Sequence, residues 1–268
     1  MGDFAVEDDR KPVRLRYASQ EETPLDIVLL FELSKPMSSH LPALRSASEM
    51  ALAELREGDR VAVLSFNEEV RLEQPISSDL KEVKRKLRIG LAFAAFSKRP
   101  SVLPAAVEAA RYLSAQKGPR RRRVVLMFTG DAGFGLKNQN HTAVAKDLWQ
   151  ADVGLSAMVI PTAITRLTRD DNPFHFGPLL TLGFNLWDNI DDIAEQTGGE
   201  VVETNPALRQ VIQRLRKRYK LYYDMPSGRP GQRRQIAVTL SPPAQARHPD
   251  ARIVSRKGYV MPKVPVPE

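Results

Sequence analysis

The stretch "PLDIVLLFELSKPMSSH", residues 24–40, decides the fold. Its apolar run from Ile27 to Phe31 has no polar alternation. It therefore reads as a central strand covered on both faces. The run stops at an acid, Glu32, and continues as Leu33, Ser34, Lys35, Pro36 and Met37. A buried strand ending in a carboxylate and a hydroxyl predicts the edge of a binding site. Whether that edge still holds a ligand is the question the rest of the chain must answer.

Working outward, strands and helices alternate. "LPALRSASEMALAELREGD" predicts a helix with Leu41, Leu44, Ala51, Leu52 and Leu55 on one face and Gly58 at its end. "DRVAVLSF" (59–66) is a second strand. "EVRLEQP" (69–75) follows after only "NEE", which predicts an antiparallel hairpin partner. "SDLKEVKRKLRIG" predicts a short helix capped by Ser78 or Asp79. A helix over 101–118, a strand over 122–130, a helix in "NHTAVAKDLWQADVG" and a strand over 154–161 come next. Residues 162–186 lack a clear period and read as a long loop. "LWDNIDDIAEQTGG" is helical, "EVVE" is a short strand, and "NPALRQVIQRLRKRYK" spaces Leu208, Val211, Ile212 and Leu215 for one helix face.

This alternation predicts an α/β fold: a doubly wound, mostly parallel sheet with one antiparallel edge strand. The pattern then changes. "YKLYYDMP", "RRQIAVTL" and "ARIVSRKGYV" are strand-like with no helix between them, and "KPVRLRYAS" near the start is strand-like too. Residues 1–24 are expected to pair with the C-terminal strands, 25–217 to form the α/β unit, and 218–268 to form a small β extension.

Composition narrows the function. Hydrophobic residues make up 42% of the 268, enough for a sizeable core. No apolar run reaches the roughly 20 residues of a membrane helix. The start of the chain is charged and lacks the apolar core of an export signal. There is no cysteine, which excludes disulfides, thiolate chemistry and cysteine-based zinc sites. The net charge is +8, gathered at Lys84 to Lys86, Arg120 to Arg123 and Arg214 to Lys220. No aromatic platform accompanies these clusters in the sequence, so they read as solvated faces rather than a nucleic-acid surface.

Taken together, the residues resemble a family. Positions 25–216 are similar to a von Willebrand factor A domain, and the wider chain is similar to the bacterial VWFA-related group. That group leads into its first strand with F-x-V-x-E-D-G-x-P, here "FAVEDDRKPV". It ends in Y-x-L-x-Y, R-x-I-x-V and R-x-G-Y segments. Here these are Tyr219, Leu221 and Tyr223; Arg234, Ile236 and Val238; and Arg256, Gly258 and Tyr259. The resemblance implies a Rossmann-like A-domain fold and a metal-ion-dependent adhesion site at the carboxyl ends of the strands. It also implies relatives that are commonly exported, and leaves the localisation of this chain open.

The implied metal pattern is D-x-S-x-S after the first strand, a Thr before a later helix, and an Asp in T-D-G after the fourth strand. This chain departs from it. Glu32 stands in place of the first Asp, Ser34 keeps a hydroxyl, and Pro36 replaces the second Ser. Ser101 falls at the Thr position. The last segment reads Thr129-Gly130-Asp131, which displaces the acid by one residue. Octahedral Mg²⁺ needs about six hard oxygens, so the site reads as degenerate and no metal is expected. Glu32 is then expected to pair with Lys35 or to cap a nearby amide. A residual Mg²⁺ site that bridges to a partner's acid is the alternative.

Other chemistry finds little support. "GDAGFGLKN" (130–138) resembles a phosphate loop, but its Lys137 comes one place late and Asn138 is no hydroxyl. Binding of a phosphorylated ligand there stands as a second alternative. His40, His141, His175 and His248 form no metal-binding spacing, and Ser34 lies in no nucleophile motif. The expectation is a non-catalytic protein-interaction module with an unidentified protein partner. Its rim would be built from Lys35, Ser38, His40, Lys98, Arg99, Phe134 and Lys137.

Overall fold

The strand predicted from residues 26–32 spans Leu25–Glu32 (β4), and all eight of its residues are buried. In the computed structural model, which describes residues 2–20, 23–90, 96, 100–130, 140–160, 186–203 and 205–262, β4 lies inside a six-stranded sheet. Three short strands precede it: Phe4–Asp8 (β1), Lys11–Val13 (β2) and Leu15–Ser19 (β3). After it come the helix Leu41–Leu52 (α1), the strands Arg60–Phe66 (β5) and Val70–Ser77 (β6), and the helices Leu80–Gly90 (α2) and Val102–Ser114 (α3). Then follow Arg122–Gly130 (β7), His141–Gln150 (α4), Val153–Ile160 (β8), Leu186–Thr197 (α5), Val201–Val202 (β9) and Asn205–Arg216 (α6). Lys220–Tyr223 (β10), Arg233–Leu240 (β11), Pro242–Arg247 (α7) and Gly258–Val260 (β12) complete the described chain.

The large sheet has the order β6-β5-β4-β7-β8-β9. Every neighbour pair is parallel except β5 with β6, which form the antiparallel edge. Alternate side chains of the central strands feed two cores. Ile27, Leu29 and Phe31 meet α1, α2 and α6 on one face. Val28 and Leu30 meet α3, α4 and α5 on the other. Both faces are therefore covered, which is why β4 carries no polar alternation. At the amino ends of the strands, buried Asp59 accepts the Leu25 amide (2.8 Å) and the Arg216 guanidinium (2.5 Å), while Asp26 holds Arg60 through two hydrogen bonds.

The terminal segments form two antiparallel sheets, β12-β11-β1-β2 and β10-β3. Three local readings change. The first helix stops at Leu52 rather than near Gly58, because the Asp59 carboxylate draws in the Arg56 amide (2.9 Å) and turns the chain first. Gly58, at φ +89°, sits in that turn. The tail contains a helix, α7, which the sequence reading denied. Pro242 and Pro243 open it without needing amide partners, and Ala244 is buried beneath it. Of the strand expected over 251–260, only Gly258–Val260 pairs. The preceding residues bind helix ends instead: Lys257 gives its amide to the Gln196 carbonyl (2.8 Å), and Arg256 reaches Asp152 (2.8 Å). The long loop read over 162–186 lies outside the described residues except at Leu186.

Candidate functional site

The site is built where β4 and β7 end side by side. Phe31 pairs with Phe128 in parallel register, and their rings stack with centroids 4.5 Å apart and planes 4° from parallel. That packing carries Glu32 alongside Thr129 and Gly130. Glu32 is 4% exposed. Its Oε2 accepts the Gly130 amide at 3.0 Å and the Thr129 hydroxyl in a short hydrogen bond. Thr129 is fully buried. The carboxylate thus joins the ends of the two central strands.

Beyond Glu32 the chain is pinned by the Leu33 amide, which donates to the Phe66 carbonyl at 2.7 Å. A single tight turn follows over Lys35–Met37. Pro36 sits in its first positions, and the Met37 amide returns to the Ser34 carbonyl (3.0 Å). Ser34 is 2% exposed, and its hydroxyl has no hydrogen-bond partner among the described residues. Met37 anchors the turn in the core, while Lys35, Pro36 and Ser38 face solvent and His40 is half-buried. The Ser38 hydroxyl is turned back onto the Lys35 carbonyl (2.7 Å).

Ser101 precedes α3. Its amide donates to the Asn67 carbonyl at 2.7 Å, which ties it to the end of β5, and its side chain does not cap the helix. Between the β5–β6 turn and α3 lies an open cleft of about 320 Å³, lined by Asn67, Glu68, Glu69, Ser101, Pro104 and Glu108 among others. This acidic cleft had no signal in the sequence, because its carboxylates come from segments far apart along the chain. The role of Thr129 was equally hidden. A threonine at the end of a buried strand looks like any β-branched core residue until its neighbour strand is known.

The structure therefore brings Glu32 and Gly130 into contact, sets Ser34 one turn beyond them, and links Ser101 to the neighbouring strand end. Asp131, Lys98, Arg99, Phe134 and Lys137 lie outside the described residues. A divalent cation of the Mg²⁺ type takes about six oxygens. The described residues offer the Ser34 hydroxyl, the Ser101 hydroxyl and a Glu32 carboxylate with one oxygen already holding two donors. Pro36 offers none. Among the described residues that set falls short of the ion's roughly six oxygens. Among the described residues no group of three or more acids and histidines is arranged to hold a metal.

A six-stranded, mostly parallel sheet between two helix layers, with its candidate site at the carboxyl ends of the strands, is the von Willebrand factor A fold, and this chain has it. No family model matches the chain, and no curated protein matches it. Solved structures do. BatB, a conserved hypothetical protein from Bacteroides thetaiotaomicron, is 17% identical, with a TM-score of 0.52 over 71% of this chain and 97% of that one. An aerotolerance-related membrane protein from Bacteroides fragilis is 16% identical, with a TM-score of 0.50 over 71% and 99%. A von Willebrand factor type A protein from Catenulispora acidiphila is 12% identical, with a TM-score of 0.53 over 81% and 49%. No helix among the described residues is long and apolar enough to cross a membrane.

Proposed function

We propose that this chain is a non-catalytic interaction module whose carboxyl-end rim meets a protein partner without a bridging metal. The observation that supports this most is the inward Glu32 carboxylate. It is bonded to Thr129 and Gly130 across β4 and β7, where an adhesion site of this fold would keep its first acid for the ion. The strand ends are joined by a protein hydrogen bond in place of a shared cation. Contact with a partner then falls to the turn that follows Glu32, chiefly exposed Lys35 and Ser38 and half-buried His40.

The experiment is partner capture from the source cell with and without a chelator. Capture should survive chelation and be lost in Lys35→Glu/Ser38→Glu, with the melting curve unchanged. Millimolar Mg²⁺ or Mn²⁺ should leave the melting temperature where it is. A ligand that binds only the folded state at a hundredfold excess over Kd adds about 2.7 kcal/mol, a shift of several degrees for a domain of this size. Such a rise, abolished by Ser34→Ala, overturns the metal-free reading.

The residual-metal reading has one observation in its favour, the buried Ser34 hydroxyl without a hydrogen-bond partner among the described residues. The same titration decides it.

A further inference from the structure

The two helix layers of the α/β unit carry opposite charge. In the layer of α1, α2 and α6, Arg45 is offset by Glu49. Helix α2 contributes Lys81, Lys84, Arg85, Lys86 and Arg88 against Glu82, and α6 contributes Arg209, Arg214 and Arg216, for a net +7. In the layer of α3, α4 and α5, Glu108 balances Arg111 and Asp147 balances Lys146. There α5 adds four acids, Asp188, Asp191, Asp192 and Glu195, for a net −4.

Part of the acidic side already has cations within the chain. Arg256 pairs with Asp152 at the end of α4 (2.8 Å), and the Lys257 ammonium stands 3.5 Å from Glu195. The basic layer is less evenly served. Arg88 is held by Glu49, Arg209 by Glu54, Arg214 by Glu200 and Arg216 by buried Asp59, so the charge left over is that of α2. Lys81 and Lys86 of α2 form no ion pair among the described residues, Lys84 acts on Glu49 only through its charge, and Arg85 stands at 3.9 Å from Glu82. Two large apolar side chains, Met50 of α1 and Ile89 of α2, are each 49% exposed there. Each neighbours a member of the Glu49–Arg88 pair in sequence.

We infer that this basic layer is an adsorption surface for anionic lipid headgroups. The charge left over is gathered on α2, where exposed Ile89, with exposed Met50 of the adjacent α1, adds an apolar contact that suits a headgroup layer with hydrocarbon beneath it better than a single strand. Single-stranded nucleic acid is disfavoured because its bases stack on aromatic rings, and the exposed tyrosines Tyr17, Tyr219 and Tyr222 lie on or beside β3 and β10 instead. A second copy is disfavoured because acids of the complementary layer have partners within the chain, Glu195 in Lys257 (3.5 Å) and Asp192 in the His141 imidazole (3.7 Å). Met50 and Ile89 supply the apolar contact that enters the headgroup boundary, while Lys and Arg around them meet the phosphates. This surface is separate from the carboxyl-end rim, so the inference stands or falls independently of the proposed function.

The test is co-sedimentation of the full chain with vesicles of phosphatidylcholine alone and of phosphatidylcholine mixed with phosphatidylglycerol. Binding should require the anionic lipid and vanish near 1 M salt, where the Debye length falls to about 3 Å. Lys81→Glu/Lys84→Glu/Arg85→Glu should weaken it at least tenfold, with an unchanged melting curve. Lys11→Glu/Arg14→Glu/Lys117→Glu makes the same change in net charge away from this layer and should leave binding within about twofold. Ile89→Ser should weaken binding several-fold at low salt. Equal binding to neutral vesicles, equal loss in the two triple variants, or binding of polyglutamate or a single-stranded oligonucleotide in place of vesicles would overturn the inference.

Discussion

At the scale of single residues, Glu32 sets the character of the rim. Among the described residues its buried carboxylate accepts from two donors, and Thr129→Val removes one of them. A hydrogen bond to a charged group contributes about 1.5–3 kcal/mol, so this nearly isosteric change should lower the melting temperature by several degrees. A calorimetric scan checks it. A loss within about 0.5 kcal/mol, typical of an uninvolved site, would mean that the carboxylate turns elsewhere in solution. The ligand set can also be rebuilt. Glu32→Asp withdraws the carboxylate by one methylene, Pro36→Ser restores a hydroxyl, Ser101→Thr supplies the threonine of the pattern, and exchange of Gly130 with Asp131 puts the second acid in register. With Lys35→Gly to remove a nearby cation, titration calorimetry should show Mg²⁺ binding in the rebuilt chain and none in the native one. Equal binding by both would show that the native site accepts the ion.

At the scale of elements, the tail is fastened by one buried cluster. Asp8 of β1 is fully buried and accepts Arg234 of β11 (2.5 Å), Tyr259 of β12 (2.8 Å) and Tyr223 of β10 (3.2 Å). Burial, followed by the Asp8 charge, pushes the Tyr223 phenol up to about 12. Burial and the hydrogen bond to Asp8 raise Tyr259 as well. A phenol whose pKa is raised on folding stabilises the fold fully below its unfolded value near 10. That stability is lost as the pH climbs through the folded value, because the unfolded chain sheds its proton first. Stability should therefore fall between about pH 10 and 12, and Tyr223→Phe/Tyr259→Phe should flatten the fall in a series of melts. An equally steep decline in the double variant would place the titrating groups elsewhere. The neighbouring Gly258 permits the docking of β12 onto α4. A Cβ there would stand 2.6 Å from the Arg234 carbonyl and 2.8 Å from the Trp149 ring. Gly258→Ala should release the tail, and the Trp149 emission should shift to the red. An unshifted spectrum with native stability would show that the sheet gives way without cost.

At the scale of the whole molecule, the two ends of the chain complete each other. β1 pairs with β11, and β3 pairs with β10. We propose a division at 25–217 and 218–268 in which the second part cannot be removed alone. Truncation of 219–268 strips β10, β11 and β12, and leaves β1 and β3 with open edges that invite aggregation. The truncated chain should melt lower or aggregate under conditions that keep the full chain monomeric, as light scattering and a thermal scan would register. A monomer with an unchanged melt would show that the extension is independent.

The sequence by itself determined the doubly wound α/β architecture, and its resemblance to A domains named the fold. Unbroken apolar runs such as Ile27 to Phe31, with helix-period segments between them, are compatible with few arrangements other than a parallel sheet covered on both sides. The short "NEE" between two strands likewise dictated the antiparallel edge. These are local patterns, and burial on one or both faces writes them directly into residue order. Only the tertiary structure decided where Glu32 points, because its partners Thr129 and Gly130 arrive through strand pairing across about a hundred residues of chain. It also decided that the basic and acidic helices fall into opposite layers, since the side of the sheet a helix covers depends on crossover connections. The tail escaped in part for the same reason. "ARIVSRKGYV" has the composition of a strand, but the long-range pull of Asp152, Glu195 and the Gln196 carbonyl outweighs that propensity and leaves only its last residues in a ladder.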